Sequence, residues 1–196
     1  MKKLLFLALF TAAAVQLHGA IIPFDLQGTA GIGLLPGNEP GSITGGTGGE
    51  IGAGITFDTA TNLLSINVGW GSSQGFTDLS STASASHIHG PTASINGSGF
   101  TQTAGVLFTL TRSSSAVTGG TFTTAPILLT AAQATDLNNG KYYINIHTAT
   151  NGGGETRGFI IPAAVPEPAS AGILSALALM GVASGSRLRQ RKTATV

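Results

Sequence analysis

Apolar and polar residues alternate over short runs through most of the chain, the period of half-buried strands rather than of helices. Leu64-Ser65-Ile66-Asn67-Val68 alternates strictly, and Ile55-Thr56-Phe57 precedes it across the polar turn Asp58 to Asn62. That pattern predicts a hairpin with one face buried and one wet. Ile22 to Leu26 predicts a first strand, and Gly28 to Gly54, rich in glycine and carrying Pro36 and Pro40, predicts at most a weak one. Gly105 to Thr111 is apolar enough to predict a strand partly covered on both sides, and Thr121 to Thr123 predicts an edge. Tyr142 to His147 and Thr156 to Ile161 predict two more strands, joined by the turn Asn151-Gly152-Gly153-Gly154. Thr130 to Asn138 is the one helix candidate, with Thr130 as N-cap, Gln133 three residues on as in a capping box, and Gly140 as the stop.

Many short strands and one short helix predict an all-β, immunoglobulin-like antiparallel β-sandwich rather than a parallel βαβ sheet. Both ends of the chain break the alternation. Met1-Lys2-Lys3 begins a charged tip, Leu4 to Val15 is unbroken apolar sequence, and Ala20 is a small residue at a cleavage point, so residues 1–20 predict a secretory signal peptide removed by signal peptidase. Residues 21–162 then form one domain, and 163–196 a tail. Within the tail, the run from Ala169 to Ser186 has no polar face and predicts a membrane-spanning helix, somewhat short of the ~20 residues of a comfortable span. The basic stop Arg187, Arg189, Arg191 and Lys192 places its far end on the cytoplasmic side.

Ahead of that run, Val165-Pro166-Glu167-Pro168 holds the chain extended and accessible. The order of proline motif, apolar helix and arginine cluster resembles the PEP-CTERM sorting tails of Gram-negative bacteria. The resemblance implies processing by an exosortase, a transient anchor in the inner membrane, and final placement at the cell surface or in the extracellular matrix, alongside exopolysaccharide.

Setting both ends aside changes the charge. The stretch from Ile21 to Val165 keeps three cations, Arg112, Lys141 and Arg157, against seven carboxylates, a net −4 where the whole chain has +1. No basic patch remains to release counterions, which excludes nucleic acid as a partner. There is no cysteine, so an oxidising exterior adds no staples, and a domain of this size builds its core from apolar packing alone.

Chemically loaded residues are few. His87 and His89 are two apart, so on a strand both imidazoles fall on one face, and His147 in a later strand supplies a third. A His-x-His pair alone is equally compatible with histidines that hydrogen-bond backbone groups at strand ends. Gly71-Ser72-Ser73-Gln74-Gly75 fits the Gly-x-Ser-x-Gly pattern of hydrolases, but no helical periodicity follows it, and a loop is the reading. The glycines at 45–49 lack the lysine of a phosphate loop, and Trp70 closes a strand as a core plug.

The segments Ala85-Ser86-His87-Ile88-His89-Gly90-Pro91, Leu129 to Leu137, and Gly140 to Thr148 with Gly154-Glu155-Thr156-Arg157-Gly158 resemble the CHRD domain. The resemblance implies a sandwich similar in strand order and histidine placement to copper/zinc superoxide dismutases, with His87, His89 and His147 as metal ligands and Arg157 as an anion-attracting group. Arg157 alternatively pairs with Glu155 or Asp136 on the surface. A bridging histidine, zinc-loop histidines and disulfide cysteines are all missing, which excludes a two-metal dismutase site; one metal, copper being favoured over zinc by an all-imidazole set, is what these residues allow. The functional expectation is a non-enzymatic structural or binding module of the matrix. The alternative is a copper- or zinc-binding protein or vestigial dismutase-like oxidoreductase.

Overall fold

A computed structural model describes residues 19–93, 99–123 and 125–164. The leader up to residue 18 lies outside the described residues. So does the sorting tail from Val165 on, with Pro166, Glu167, Pro168, the predicted helix 169–186, and Arg187, Arg189, Arg191 and Lys192. Among the described residues, no helix is long and apolar enough to cross a membrane.

The strands are β1 (Ile21–Gly28), β2 (Gly31–Ile32), β3 (Gly48–Asp58), β4 (Leu63–Trp70), β5 (Ala83–His89), β6 (Val106–Thr109), β7 (Gly120–Thr123), β8 (Ile127–Leu128), β9 (Tyr143–Thr148) and β10 (Thr156–Pro162). One helix, α1 (Ala131–Asn138), precedes β9. The strands form one ten-stranded sheet in the order β6-β5-β9-β10-β1-β3-β4-β7, with β2 beside β1 and β8 beside β4. All pairings are antiparallel. The all-β antiparallel expectation is met in this form: the strands run as a single curled ladder. The bridge between Arg112 and Phe122, with the Ser113 amide donating to the Thr121 carbonyl at 2.9 Å, brings the chain leaving β6 onto β7. Register shifts in β3 and at two places in β5 supply the local bends that such curling needs.

The predicted hairpin is β3–β4, pairing Ile55 with Ile66 and Phe57 with Leu64. Its first strand starts earlier than the sequence suggested, at Gly48, inside the glycine-rich stretch. A Cβ on Gly48 would sit 2.5 Å from the Gly69 carbonyl oxygen, so the residue that weakens strand propensity is the one that lets the two backbones close. The strand predicted at Gly105 to Thr111 is the shorter β6, partly covered on both faces, where the successive Leu107 and Phe108 are half-buried; it ends the ladder, and Val106 is 54 % exposed. The capping box of α1 is present, with the Thr130 side chain accepting from the Gln133 amide and the Gln133 side chain accepting from the Thr130 amide.

Alternation assigns the two faces. Phe24, Leu26, Ile55, Phe57, Leu64, Ile66, Val68, Ile88, Ile144, Ile146 and Ile160 point into one core, which the curled sheet wraps. Trp70 is fully buried there, stacked on Phe122 at 4.9 Å between ring centres and donating its indole N–H to the Ala116 carbonyl. Burying each such side chain contributes about 1.5–3 kcal/mol. The other face of β5, β9 and β10 carries His87, His89, Tyr143, Asn145, His147, Arg157 and Phe159.

Glu155, with no exposed surface, ties the loops at one end of these strands. Its Oε1 accepts from the amides of Gly46 (2.9 Å) and Ser80 (2.7 Å), and its Oε2 from the hydroxyls of Thr148 (2.7 Å) and Ser80 and from the Asn151 amide group. Burial works to raise its pKa, and the bonds from Ser80, Gly46 and Thr148 together reverse that, leaving it below the ordinary 4.5. The stabilisation is therefore present above pH 4.5 and is lost as pH falls through the depressed folded value. Replacing Glu155 by Ala strands these donors and should cost about 3–4 kcal/mol in urea denaturation, and Glu155→Gln should flatten the acid limb of the stability–pH curve.

Candidate metal centre

The register between β5 and β9 sets the site. Ile88 pairs with Ile144 on the core side, while on the outer side His87 lies opposite Asn145, His89 opposite Tyr143, and His147 opposite Ala85. The three histidines expected to act together are brought together: one ligand nitrogen from each of His87, His89 and His147 lies within 4.8 Å of the others.

Hydrogen bonds to backbone carbonyls fix two of the rings. His89 Nδ1 lies 2.9 Å from the Ala104 carbonyl oxygen, and His147 Nδ1 lies 2.9 Å from the Gly152 carbonyl oxygen. A carbonyl only accepts, so in each neutral ring Nδ1 carries the proton and Nε2 presents its lone pair. His87 Nδ1 meets His147 Nε2 at 3.0 Å. His89 Nε2 is buried and has no protein partner. A metal would therefore take Nδ1 of His87, with its proton moved to Nε2 and its bond to His147 given up, together with Nε2 of His89 and of His147. Bonds of about 2.0–2.1 Å in a tetrahedral site put donor nitrogens about 3.3 Å apart, and small side-chain rotations close the remaining spread.

Electrostatics keep the ring nitrogens available. Burial pushes His87 below the usual imidazole range, helped by His147, His89 and Arg112; burial also lowers His89, against the opposing pull of the Ala104 carbonyl. The His89 ring is stacked parallel on Tyr143, with centres 4.8 Å apart, which fixes its plane. His87 and His147 are partly exposed and leave the site open to solvent on one side.

Arg157 falls in the same cross-strand row, paired with Asn145, but does different work from that expected. Its Nη2 lies 2.9 Å from Glu39 Oε2, both side chains being 3 % exposed, its Nη1 donates to the Gln102 carbonyl at 2.9 Å, and its guanidinium covers the Tyr143 ring at 4.1 Å. With its charge met by a buried carboxylate, Arg157 is not placed to attract an anion, and it does not pair with Glu155 or Asp136. Glu155 is held by the loop donors, and Asp136 pairs with Lys141 at 2.8 Å.

Sequence reasoning missed Glu39 because nothing local marks it. The 3-10 turn at Pro36–Asn38 delivers it, held by the Asn38 side chain, which donates to the Arg157 carbonyl at 2.9 Å and accepts from the Ala30 amide at 2.7 Å. The Ala104 and Gly152 carbonyls were equally invisible, since any residue type supplies a carbonyl. The Gly71–Gly75 motif forms a 3-10 turn at Ser72–Gln74 with no helix after it, in keeping with a loop.

The tautomers are directly testable. Imidazole nitrogen NMR of the metal-free protein should show Nδ1–H for His89 and His147 at neutral pH; an Nε2–H form for either would break the assignment of donors.

No curated protein and no solved structure matches the chain. Residues 33–160 do match the CHRD domain, a stretch that includes all three histidines, Glu39 and Arg157, and on that match over more than half of its length the chain belongs to the CHRD-domain family.

Proposed function

We propose that this is an exported, non-enzymatic binding module whose CHRD domain holds one transition-metal ion at His87, His89 and His147. The observation that carries this reading is the convergence of three imidazoles, two of them locked by backbone carbonyls with Nε2 turned towards the cluster and one of those, on His89, buried without a protein partner. Carbonyl partners behind the ligands are the usual means of orienting metal-binding histidines. An all-imidazole set suits copper above zinc. A bound ion would tie β5 to β9 and add binding energy to folding.

The leader predicted at residues 1–20 supports export, and the PEP-CTERM-like tail supports passage through the inner membrane, cutting by an exosortase, and release to the surface or matrix of a Gram-negative cell, where exopolysaccharide is a candidate neighbour. A second reading rests on the direct 3.0 Å contact between His87 and His147, which pins the two strands with no metal at all. A dismutase is not proposed, because the second metal's ligands are missing from the sequence.

Elemental analysis and titration with copper and zinc on the purified protein, beside a His87→Ala, His89→Ala double variant, separate the readings. The metal reading expects one ion per chain, lost in a variant that stays folded. Because burial holds His87 and His89 below the ordinary 6.5, their nitrogens stay available to the ion into mildly acidic solution, and occupancy should fall when further acidification protonates these two rings. Metal-free protein whose double variant is merely less stable would establish the strand-pinning role instead.

A further inference from the structure

Beside the histidine site, and separate from its ligands, a cleft of about 370 Å³ opens above the Arg157–Glu39 pair. That volume is within the range of about 300–1,000 Å³ typical of small-ligand sites. Its lining combines an apolar wall, Pro40 and Ile43, with Thr103, Thr150 and Asn151 and the backbone of Gly152, Gly153 and Gly154. Gly154 has φ +131°, a region that favours glycine, and a Cβ there would collide with the Glu39 carboxylate. The loop can therefore approach the pair closely only with glycine at this position.

The floor of the cleft has unmet hydrogen-bonding capacity. Arg157 Nε is buried and has no partner, and Glu39 Oε1 is buried with no hydrogen bond of good geometry, the neighbouring Asn145 side chain giving the carboxylate a contact that opposes the rise in its pKa from burial; Glu39 Oε2 and both terminal nitrogens of Arg157 are engaged within the fold or the ion pair. An unsatisfied buried polar atom costs about 1–3 kcal/mol, so a partner from outside the chain is favoured, either an ordered water or a ligand hydroxyl that takes its place. The pair is neutral as a unit. A cation at Glu39 would also face the Arg157 guanidinium, and an anion at Arg157 would face the Glu39 carboxylate, so neither is selected. A hydroxyl both donates and accepts, and so answers Glu39 Oε1 and Arg157 Nε without adding charge.

We propose that this cleft binds a neutral polyhydroxylated ligand, a sugar ring, with a hydroxyl pair seated on Glu39 and Arg157, further hydroxyls on Thr103, Thr150 and Asn151, and a C–H face against Pro40 and Ile43. The proposed contacts include none of the histidines, although Gly152 serves both as cleft wall and as the carbonyl partner of His147, and the test uses protein with no added metal.

Amide NMR shifts of the purified full chain, titrated separately with glucose, mannose and N-acetylglucosamine, and with methylammonium and acetate as charged probes, decide the matter. The expected result is a saturable shift of Thr150 to Gly154 with at least one of the three sugars and none there with the ions. Filling the cleft by Thr103→Trp, at an exposed position, should weaken that binding by about tenfold or more while leaving the rest of the spectrum in place. No shift at the cleft with any of the sugars, a shift there with methylammonium or acetate alone, or sugar binding undiminished in Thr103→Trp would each overturn the proposal.

Discussion

Ile88 faces Ile144 across the β5–β9 ladder while His87 faces Asn145 and His89 faces Tyr143, and everything distinctive about this molecule hangs on that alignment. A slip of one residue in either strand would turn that strand's isoleucines outward and its histidines into the core, at the cost of burying imidazoles without partners and exposing apolar surface. The hydrophobic content of Ile88, Ile144 and Ile146 therefore fixes the geometry of the polar face as firmly as it fixes the core. The histidines are placed by residues that never touch them.

The outer face is then organised by two kinds of support. Backbone carbonyls from Ala104 and Gly152 orient two imidazoles, and the stacked Tyr143 ring holds a third feature, the plane of His89. Tyr143 in turn lies under the Arg157 guanidinium and packs on Phe159, which meets Phe100 at 5.3 Å between ring centres. A buried ion pair such as Arg157–Glu39 gains little net stability over an apolar replacement, but removal of one partner is costly, so its presence favours one arrangement of the Leu35–Glu39 segment over others. Glu155 does the same for the loops at 45–46, 80 and 151.

Much of this was legible in the residues. Strict alternation gave β4 and its hairpin partner, the capping box gave α1, and the two-residue spacing of His87 and His89 with a late-strand His147 gave the cluster. What escaped depended on long-range contact. The first half of β3 hid behind glycines chosen for close approach of β4 rather than for strand propensity. The edge position of β6 follows from the order of strands, which periodicity does not encode. Arg157's partner came from a turn held by Asn38, remote in sequence, and the carbonyls that orient His89 and His147 belong to residues whose side chains carry no signal. The continuous curled ladder likewise depends on bulges and on the Arg112–Phe122 bridge, which links the chain next to one end of the strand order with the strand at the other.

X-ray absorption at the copper edge, recorded on protein loaded with one equivalent of copper, tests the central claim most directly. The account predicts a first shell containing three nitrogen donors at about 2.0 Å with the outer-shell scattering of imidazole rings. A shell of oxygen donors alone, or copper that washes away from folded protein, would contradict it.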